Sequence, residues 1–301
     1  MVDVSLSTAL TVADEHAVLP SRSRGYWATV RRNLRRDPRA LGSGLILLLL
    51  VIGVVGAPLI APADPYHASI LARLKPIGTP GHLLGTDELG RDMLSRLLYG
   101  GQSTFLMGVA PVLIAFLVGG TLGLVAGCAG GAINMMIMRA MDVLYAFPSV
   151  LLAVALSGAL GSGIGNAMLA LTLVFIAPIA RVAESAATEI SHLDFVDAAR
   201  ASGASAFTVV RVHVLGHVLG PVIVYASSLS SLGIVLAAGL SFLGLGVIPP
   251  RPDWGLMLST LRQSIYIQPL VAALPGFLIF VTSISLNMLS DALRDAMMVK
   301  K

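Results

Sequence analysis

The fold is decided by an uncharged stretch that lies between Arg96 and Arg139. It reads LLYGGQSTFLMGVAPVLIAFLVGGTLGLVAGCAGGAINMMIM and covers residues 97–138. A helix needs about 20 apolar residues to cross the hydrocarbon core of a bilayer, so 42 uncharged residues suffice for one span and the start of another. A glycine-rich segment near the C-terminal end divides the stretch. We therefore predict one span over 105–127 and a second over 134–157.

The rest of the sequence repeats this pattern. Further uncharged runs of 24, 38, 39 and 28 residues separate the remaining charges. They predict four more spans, at 40–60, 166–187, 217–240 and 270–290. The chain is 56% hydrophobic and 12% charged, about half the usual charged share, which excludes an ordinary soluble enzyme and a disordered chain. A single cysteine, Cys128, excludes an intrachain disulfide and a cysteine-based metal site. The predicted fold class is an all-α polytopic membrane protein with six transmembrane helices.

The distribution of Lys and Arg predicts the orientation. Cytoplasmic segments of membrane proteins carry an excess of both residues. If residues 1–39, which hold seven Arg, lie inside and six spans alternate, the inner segments contain 14 of the 20 Lys and Arg and the outer segments contain six. Both termini are therefore expected in the cytoplasm. The basic composition is a topology signal, and no nucleic acid is needed to explain it.

Polar residues within the spans narrow the function. The sequence places no ionisable residue near the middle of a predicted span, which argues against an intramembrane enzyme and against an ion-coupled carrier. Two pairs of opposite charge, Arg139 with Asp142 and Arg181 with Glu184, have the i,i+3 spacing of ion pairs near cytoplasmic helix ends. The energy for transport is then expected from a partner protein.

Two histidines have the spacing of a pair of metal ligands. His213 and His217 are four residues apart, which can place two ligands on one helix face. No third ligand lies nearby in the sequence. Packing or capping is the favoured interpretation, and no metal site is predicted.

The longest predicted cytoplasmic loop, residues 188–212, is amphipathic and rich in small residues. Phe195, Ala199 and Ser202 share one helical face, and Gly203 offers a helix stop or a left-handed turn. Such a short helix suits insertion into a groove of another protein, and the alternative is a simple connector.

At this loop the sequence resembles the ABC importer permeases. Their signature is Glu-Ala-Ala, three residues, Gly, and then an Ile/Leu/Pro ending. This chain differs from it in having Asp197 in place of Glu and Gly216 in place of Pro. The resemblance implies a type I ABC importer permease fold, with a cytoplasmic coupling helix at about 190–205 that docks into an ATPase. The implied ATPase-coupling residues are Asp197, Ala198, Ala199, Gly203 and Leu215.

Longer blocks are similar to one subfamily, the C-type subunits of dipeptide, oligopeptide and nickel importers. The resemblance covers about residues 35–296 and leaves the N-terminal tail unmatched. The blocks that carry it are Arg36–Pro38, Ala57–Pro65, Leu84–Asp92, Ser95–Gly100, Met141–Leu144, Ala146–Ser149, Ser241–Val247, Pro249–Pro250, Trp254–Gly255 and Leu286–Asp295. The implied divisions are a cytoplasmic tail at 1–39, a first helix with an extracytoplasmic segment at 40–102, the five-helix transport domain at 103–292, and a C-terminal tail at 293–301.

On the extracytoplasmic side, two local features are informative. Thr86 or Asp87 is expected to cap the helix that follows them in the sequence. Trp254 and Tyr266 suit an interfacial aromatic belt, and they are also candidates for a surface that faces a binding protein.

The resemblance also implies a function and a set of partners. The chain would be a permease of an ATP-driven importer in the bacterial cytoplasmic (inner) membrane, with peptides as substrate and nickel or another small solute as alternatives. The implied partners are a second, B-type permease, two ATPases and an extracytoplasmic binding protein, besides membrane lipid. The sequence has no Gly-x-x-x-x-Gly-Lys-Ser/Thr loop, so ATP and Mg²⁺ are expected in the ATPases and no catalysis is expected here. A self-contained secondary carrier and a pure scaffold are the other hypotheses.

Overall fold

The computed structural model describes residues 26–297. Residues 1–25 and 298–301 lie outside the described part of the chain. Four of the basic residues on which the predicted membrane orientation rests are among them: Arg22, Arg24, Lys300 and Lys301. Within 26–297, β structure is limited to two isolated bridges, Thr79–His82 and Thr86–Asp92.

The described residues form helices joined by short connections and one long segment at 61–92. Residues Val209–Val214 are π-helical. In chain order the helices are α1 (Tyr26–Leu34), α2 (Pro38–Val55), α3 (Ala57–Ile60), α4 (Met93–Ala129), α5 (Gly131–Tyr145), α6 (Ser149–Leu160), α7 (Ile164–Ser191), α8 (Asp194–Ala201), α9 (Ala206–Phe242), α10 (Trp254–Thr260) and α11 (Pro269–Met297).

Within the described residues, five helices are long and apolar enough to cross a membrane: α2, α4, α7, α9 and α11. The pair α5 and α6 brings the number to six if it counts as one span, and its two helices meet at 86°. The span predicted over 134–157 is therefore covered by two helices and not by one continuous helix. Pro148 explains the break, because it lacks an N–H and disfavours helical backbone at the residue before it.

Helix α4 begins earlier than the predicted start at residue 105, and its N-cap is not the predicted one. The cap is Asp92, whose Oδ2 accepts from the backbone N–H of Ser95 at 2.8 Å. Thr86 instead accepts from the backbone N–H of Lys75 at 2.8 Å. Arg96, which bounds the uncharged stretch, lies inside this helix and is only 3% exposed.

Helices α4 and α7 form the centre of the bundle through small residues. A Cβ placed on Gly119, Gly123 or Gly127 would collide with the backbone of α7. Close approach of this kind is how membrane helices gain packing energy without a hydrophobic driving force. Helix α9 packs against both helices. On the periphery, α2 leaves most of its leucines exposed, as expected for a helix that faces lipid.

The N-terminal region that the sequence describes as a tail includes helix α1, which packs against α11. The first turn of α2 also contacts α11, because the guanidinium of Arg39 pairs with Asp295 at 2.9 Å as well as with the N-cap residue Asp37 at 3.2 Å. The start of α2 and the end of α11 therefore lie on the same side of the molecule.

Candidate coupling site and membrane cavity

Helix α8 occupies the centre of the predicted coupling loop and ends in a left-handed turn. Gly203 has φ +84°, its N–H donates to Arg200 O at 3.0 Å, and Ala204 N–H donates to Ala199 O at 3.1 Å. These two bonds define a Schellman motif, in which glycine is favoured because it alone lacks a Cβ penalty. The predicted helix stop at Gly203 is confirmed.

The charges of α8 are arranged favourably along its axis. Asp194 and Asp197 lie in the first turn and Arg200 lies in the last turn, as the helix dipole favours. Asp197 pairs with Arg200 at 3.1 Å, and Arg200 also donates to Ser191 O at 3.2 Å. Arg200 therefore connects α8 to the end of α7.

The predicted coupling residues occupy two different places. Asp197, Ala198 and Gly203 are exposed on the α8 segment, with Ala199 half-buried beside them. Leu215 lies apart from them, within α9, where it lines a small cavity against α4. Their action on an ATPase stays a prediction.

An apolar anchor, which the sequence analysis missed, holds α8 in place. Val196 is fully buried and belongs to the main hydrophobic core of the bundle. The ring of the neighbouring residue Phe195 lies 6.3 Å from that of His213 and 5.9 Å from that of His217.

Within residues 26–297 no three His, Cys, Asp or Glu side chains are grouped as metal ligands.

Large apolar side chains near α8 are exposed on the surface of the protein. Phe207 is 73% exposed and Val212 is 64% exposed, and Leu193 and Phe195 are also exposed. A concentration of exposed apolar residues beside a short charged helix is typical of a protein interface. The sequence signal was an aromatic residue, Phe207, within a predicted cytoplasmic loop.

A cavity of about 460 Å³ opens where α5 bends into α6. Its walls are mostly apolar, with two tyrosine hydroxyls and one serine among them. The lining residues are Leu144–Ser149, Leu152, Val174, Phe175, Pro178, Tyr225, Leu229 and Leu232. The bend that the sequence analysis missed therefore forms one wall of the cavity.

The charged residues of α5 and α7 are paired in an arrangement that was only partly predicted. Asp142 on α5 lies 3.6 Å from Arg139, as expected, but its closer partner is Arg181 on α7. The predicted pair of Arg181 with Glu184 is wrong, because Arg181 pairs with Asp142 of α5 instead. Glu184 Oε1 accepts a hydrogen bond from the side-chain amide of Asn134, also on α5, at 2.7 Å.

The two aromatic residues predicted to lie on the extracytoplasmic side differ in exposure. Trp254 is only 1% exposed, and its indole N–H donates to Leu97 O at 2.8 Å. It packs edge-on against Phe105 and cannot offer its ring to a binding protein, so that expectation is wrong. Tyr266 is 92% exposed and remains a candidate.

A buried carboxyl next to Trp254 was also missed. Asp253 is 1% exposed and caps α10, with Oδ1 accepting from Leu256 N–H at 3.1 Å and Oδ2 accepting from the hydroxyl of Thr104 at 2.7 Å. Burial raises the pKa of the Asp253 carboxyl above its ordinary value.

These bonds predict a different outcome for two Asp253 substitutions. Asp253→Ala loses a cap and a buried hydrogen bond and should lower the free energy of unfolding by roughly 2 kcal/mol. Asp253→Asn keeps an acceptor for Leu256 N–H without a buried charge and should stay within about 1 kcal/mol of wild type. Unfolding in detergent micelles measures both, with the exposed turn residue Asp64→Ala as control. Equal loss in the two variants would contradict the capping role.

A second buried cluster fixes segment 61–92 to the start of α4. Asp87 Oδ2 lies 2.6 Å from Arg91 Nε and 3.1 Å from Arg96 Nε, and all three side chains are under 10% exposed. Asp87 Oδ1 also accepts the backbone N–H groups of Leu89 and Arg91. Asp87 is therefore a structural centre of segment 61–92.

Two protein families match the chain. Residues 119–298 match the family described as binding-protein-dependent transport system inner membrane component. Residues 25–76 match the family described as the N-terminal TM domain of oligopeptide transport permease C. The expectation that the N-terminal tail has no counterpart is therefore wrong from residue 25 onward.

Curated relatives match over nearly the whole chain. The glutathione transport system permease protein GsiD of Pectobacterium atrosepticum is 37% identical over 292 residues, which cover 97% of this chain and 95% of the relative. The di/tripeptide transport system permease protein DppC of Pseudomonas aeruginosa is 39% identical, covering 95% and 94%. The probable D,D-dipeptide transport system permease protein DdpC of Escherichia coli is 37% identical, covering 87% and 88%.

One solved structure shares the arrangement of helices. An inward-facing form of the MetNI methionine ABC transporter matches 67% of this chain and 97% of its own chain, with a TM-score of 0.52 and 20% identity. This similarity concerns the fold alone. Together with the family match, it confirms the type I permease fold predicted from the sequence.

Proposed function

Because this chain belongs to the family of binding-protein-dependent transport system inner membrane components, we propose that it is a permease subunit of an ATP-driven importer of short peptides. The observation that carries the proposal is the near full-length similarity to permeases named for glutathione, di/tripeptides and D,D-dipeptides. The substrates in all three names are short peptides.

The proposed assembly pairs this chain with a second, B-type permease, two ATPases and an extracytoplasmic binding protein. ATP and Mg²⁺ belong to the ATPases in this proposal, and the present chain is non-catalytic. Its sequence supports that division of labour, since it has no Gly-Lys dipeptide and hence no phosphate loop.

The mechanical role rests on the continuity of α7. The cytoplasmic end of α7 holds α8 through the bond between Arg200 and Ser191, and the same helix lines the cavity with Val174, Phe175 and Pro178. A rigid helix transmits displacement along its length. Movement of α8 by closing ATPases would therefore shift one wall of the cavity, which is the event that alternating access requires.

A transport assay with three arms tests the function. A strain that lacks only this chain should lose uptake of labelled dipeptide and regain it when the chain is supplied from a plasmid. Uptake of nickel in the same pair of strains tests the alternative solute. Peptide uptake that persists after removal of both ATPases would favour a secondary carrier and contradict the proposal.

The proposed topology places both termini in the cytoplasm of a bacterial cell, with α8 on the inner side. We expect cysteine at Tyr266 to react with an impermeant reagent on intact cells. Cysteine at Ser202 should react only after the membrane is permeabilised, both in a Cys128→Ser background. The residues at 266 and 202 are exposed, so reactivity reports sidedness. Labelling at 202 on intact cells would reverse the orientation.

A further inference from the structure

Arg181 is a charged side chain on a helix that is long enough to span the membrane. It follows Ile164 by 17 residues in a 28-residue helix, which is about 26 Å along α7 at 1.5 Å per residue. Its side chain is 46% exposed, and that of its partner Asp142 is 39% exposed. Charged groups within a membrane span face a water-filled cavity or other protein, because exposure to lipid is costly.

The nearest cavity is the one at the α5–α6 bend. Pro178, one turn before Arg181 on α7, lines it, and so does Tyr145. The guanidinium carbon of Arg181 lies 5.1 Å from the centroid of the Tyr145 ring. The ion pair of Arg181 and Asp142 does not itself line the cavity, but Arg181 contacts one lining residue, Tyr145, and follows another, Pro178, by one turn.

The balance of charge leaves Arg181 able to bind a second anion. Asp142 has two cationic neighbours, Arg181 and Arg139, so one carboxylate serves two guanidinium groups. Glu184, the next acidic residue on α7, is held by Asn134 and Thr188. A guanidinium has five N–H donors, and Arg139 can keep Asp142 neutralised while Arg181 turns to another carboxylate.

We propose that Arg181 binds the terminal carboxylate of a peptide as it passes through this cavity. The proposal deepens the proposed function and rests on it. Every linear peptide has this carboxylate whatever its side chains, and the apolar walls around it suit varied side chains. The cavity volume of about 460 Å³ lies within the range of small-ligand pockets. Arg181 would thus be a specificity-determining residue of the permease itself.

Photolabelling of the assembled importer in lipid nanodiscs tests the contact between Arg181 and the peptide carboxylate. The binding protein is left out, so that its delivery of peptide does not affect the result. The probe is alanyl-benzoylphenylalanine with a free carboxylate, and the competitors are Ala-Phe and its C-terminal amide. We expect wild type to be labelled near residues 144–149, with the free acid competing about tenfold better than the amide, equivalent to about 1.4 kcal/mol. Arg181→Gln should remove that difference, and Arg181→Lys should keep part of it.

Arg139→Gln is the matched control, since Arg139 also neighbours Asp142 but is 80% exposed, whereas Arg181 is the guanidinium that lies against Tyr145 of the cavity wall. It should preserve the preference for the free acid. A preference that survives in Arg181→Gln, or a transporting wild type that is never labelled in this cavity, would overturn the assignment. A wild-type importer that takes up no peptide would instead refute the proposed function. Copurification of the ATPases with Arg181→Gln confirms that the variant is assembled.

Discussion

A Gly203→Leu variant is expected to enter the membrane at normal levels and to lose peptide uptake. Gly203 has φ +84°, and a leucine forced into this conformation costs on the order of 1–2 kcal/mol. A Cβ at this position meets nothing within 4 Å, so the cost inside the chain is conformational and not steric. Added volume in the groove of a docked ATPase costs roughly 1–3 kcal/mol more. Together, the conformational cost and the packing cost should weaken docking of the ATPase by about 10²-fold.

Gly216 supplies the matched control for this prediction. It lies a short distance along the chain in α9, is exposed, has space around its Cα, and has no positive φ. Gly216→Leu adds the same side chain without backbone strain and should transport nearly as wild type. Uptake and ATPase pull-down at matched expression are the measurements. Normal uptake by Gly203→Leu would refute the assignment of α8 as the coupling helix.

Asp197 should matter less than Gly203 in the same assay. Its pair with Arg200 is exposed, with 63% of the Asp197 side chain accessible, and such pairs contribute only about 0–1 kcal/mol. We expect Asp197→Asn to reduce uptake mildly and Asp197→Glu to be nearly silent. A complete loss in Asp197→Asn would mean that this carboxylate contacts the ATPase directly.

The sequence was sufficient for features that depend on composition or on one residue type. Uncharged runs locate the spans because a bilayer tests only length and polarity. Gly203 locates the end of α8 because few other residues tolerate a left-handed turn. In both cases the determining physics is local, and no knowledge of packing is required.

Features that depend on neighbouring helices could not be obtained in this way. Asp87 and Asp92 have the same side chain, and only the fold decides that Asp92 caps α4 while Asp87 binds two arginines. Trp254 sits beside a proline-rich segment that looks exposed, yet α4 covers it. The α5–α6 bend had a local signal in Pro148, but the apolar run around it concealed the break.

The largest loss of stability is expected from Asp87→Ala. The substitution leaves Arg91 and Arg96 buried while removing the carboxylate that both share, and breaking a buried ion pair in this way costs about 3–5 kcal/mol. It also removes the acceptor for the backbone N–H of Leu89. Folded domains are stable by only about 5–15 kcal/mol, so the variant should scarcely accumulate in the membrane.

Two further variants separate this electrostatic cause from simple loss of packing. Glu88→Gln removes the neighbouring carboxylate, whose side chain is 20% exposed and lies 3.1 Å from Arg91, and should cost no more than about 1 kcal/mol. Asp87→Ala combined with Arg96→Met removes one stranded charge. The double variant should therefore be more stable than Asp87→Ala alone. Membrane abundance and unfolding in detergent measure all three. If the double variant is less stable than Asp87→Ala, the unpaired arginine is not the source of the loss, and Arg96 must stabilise the segment through its bond to Pro65 O at 3.1 Å.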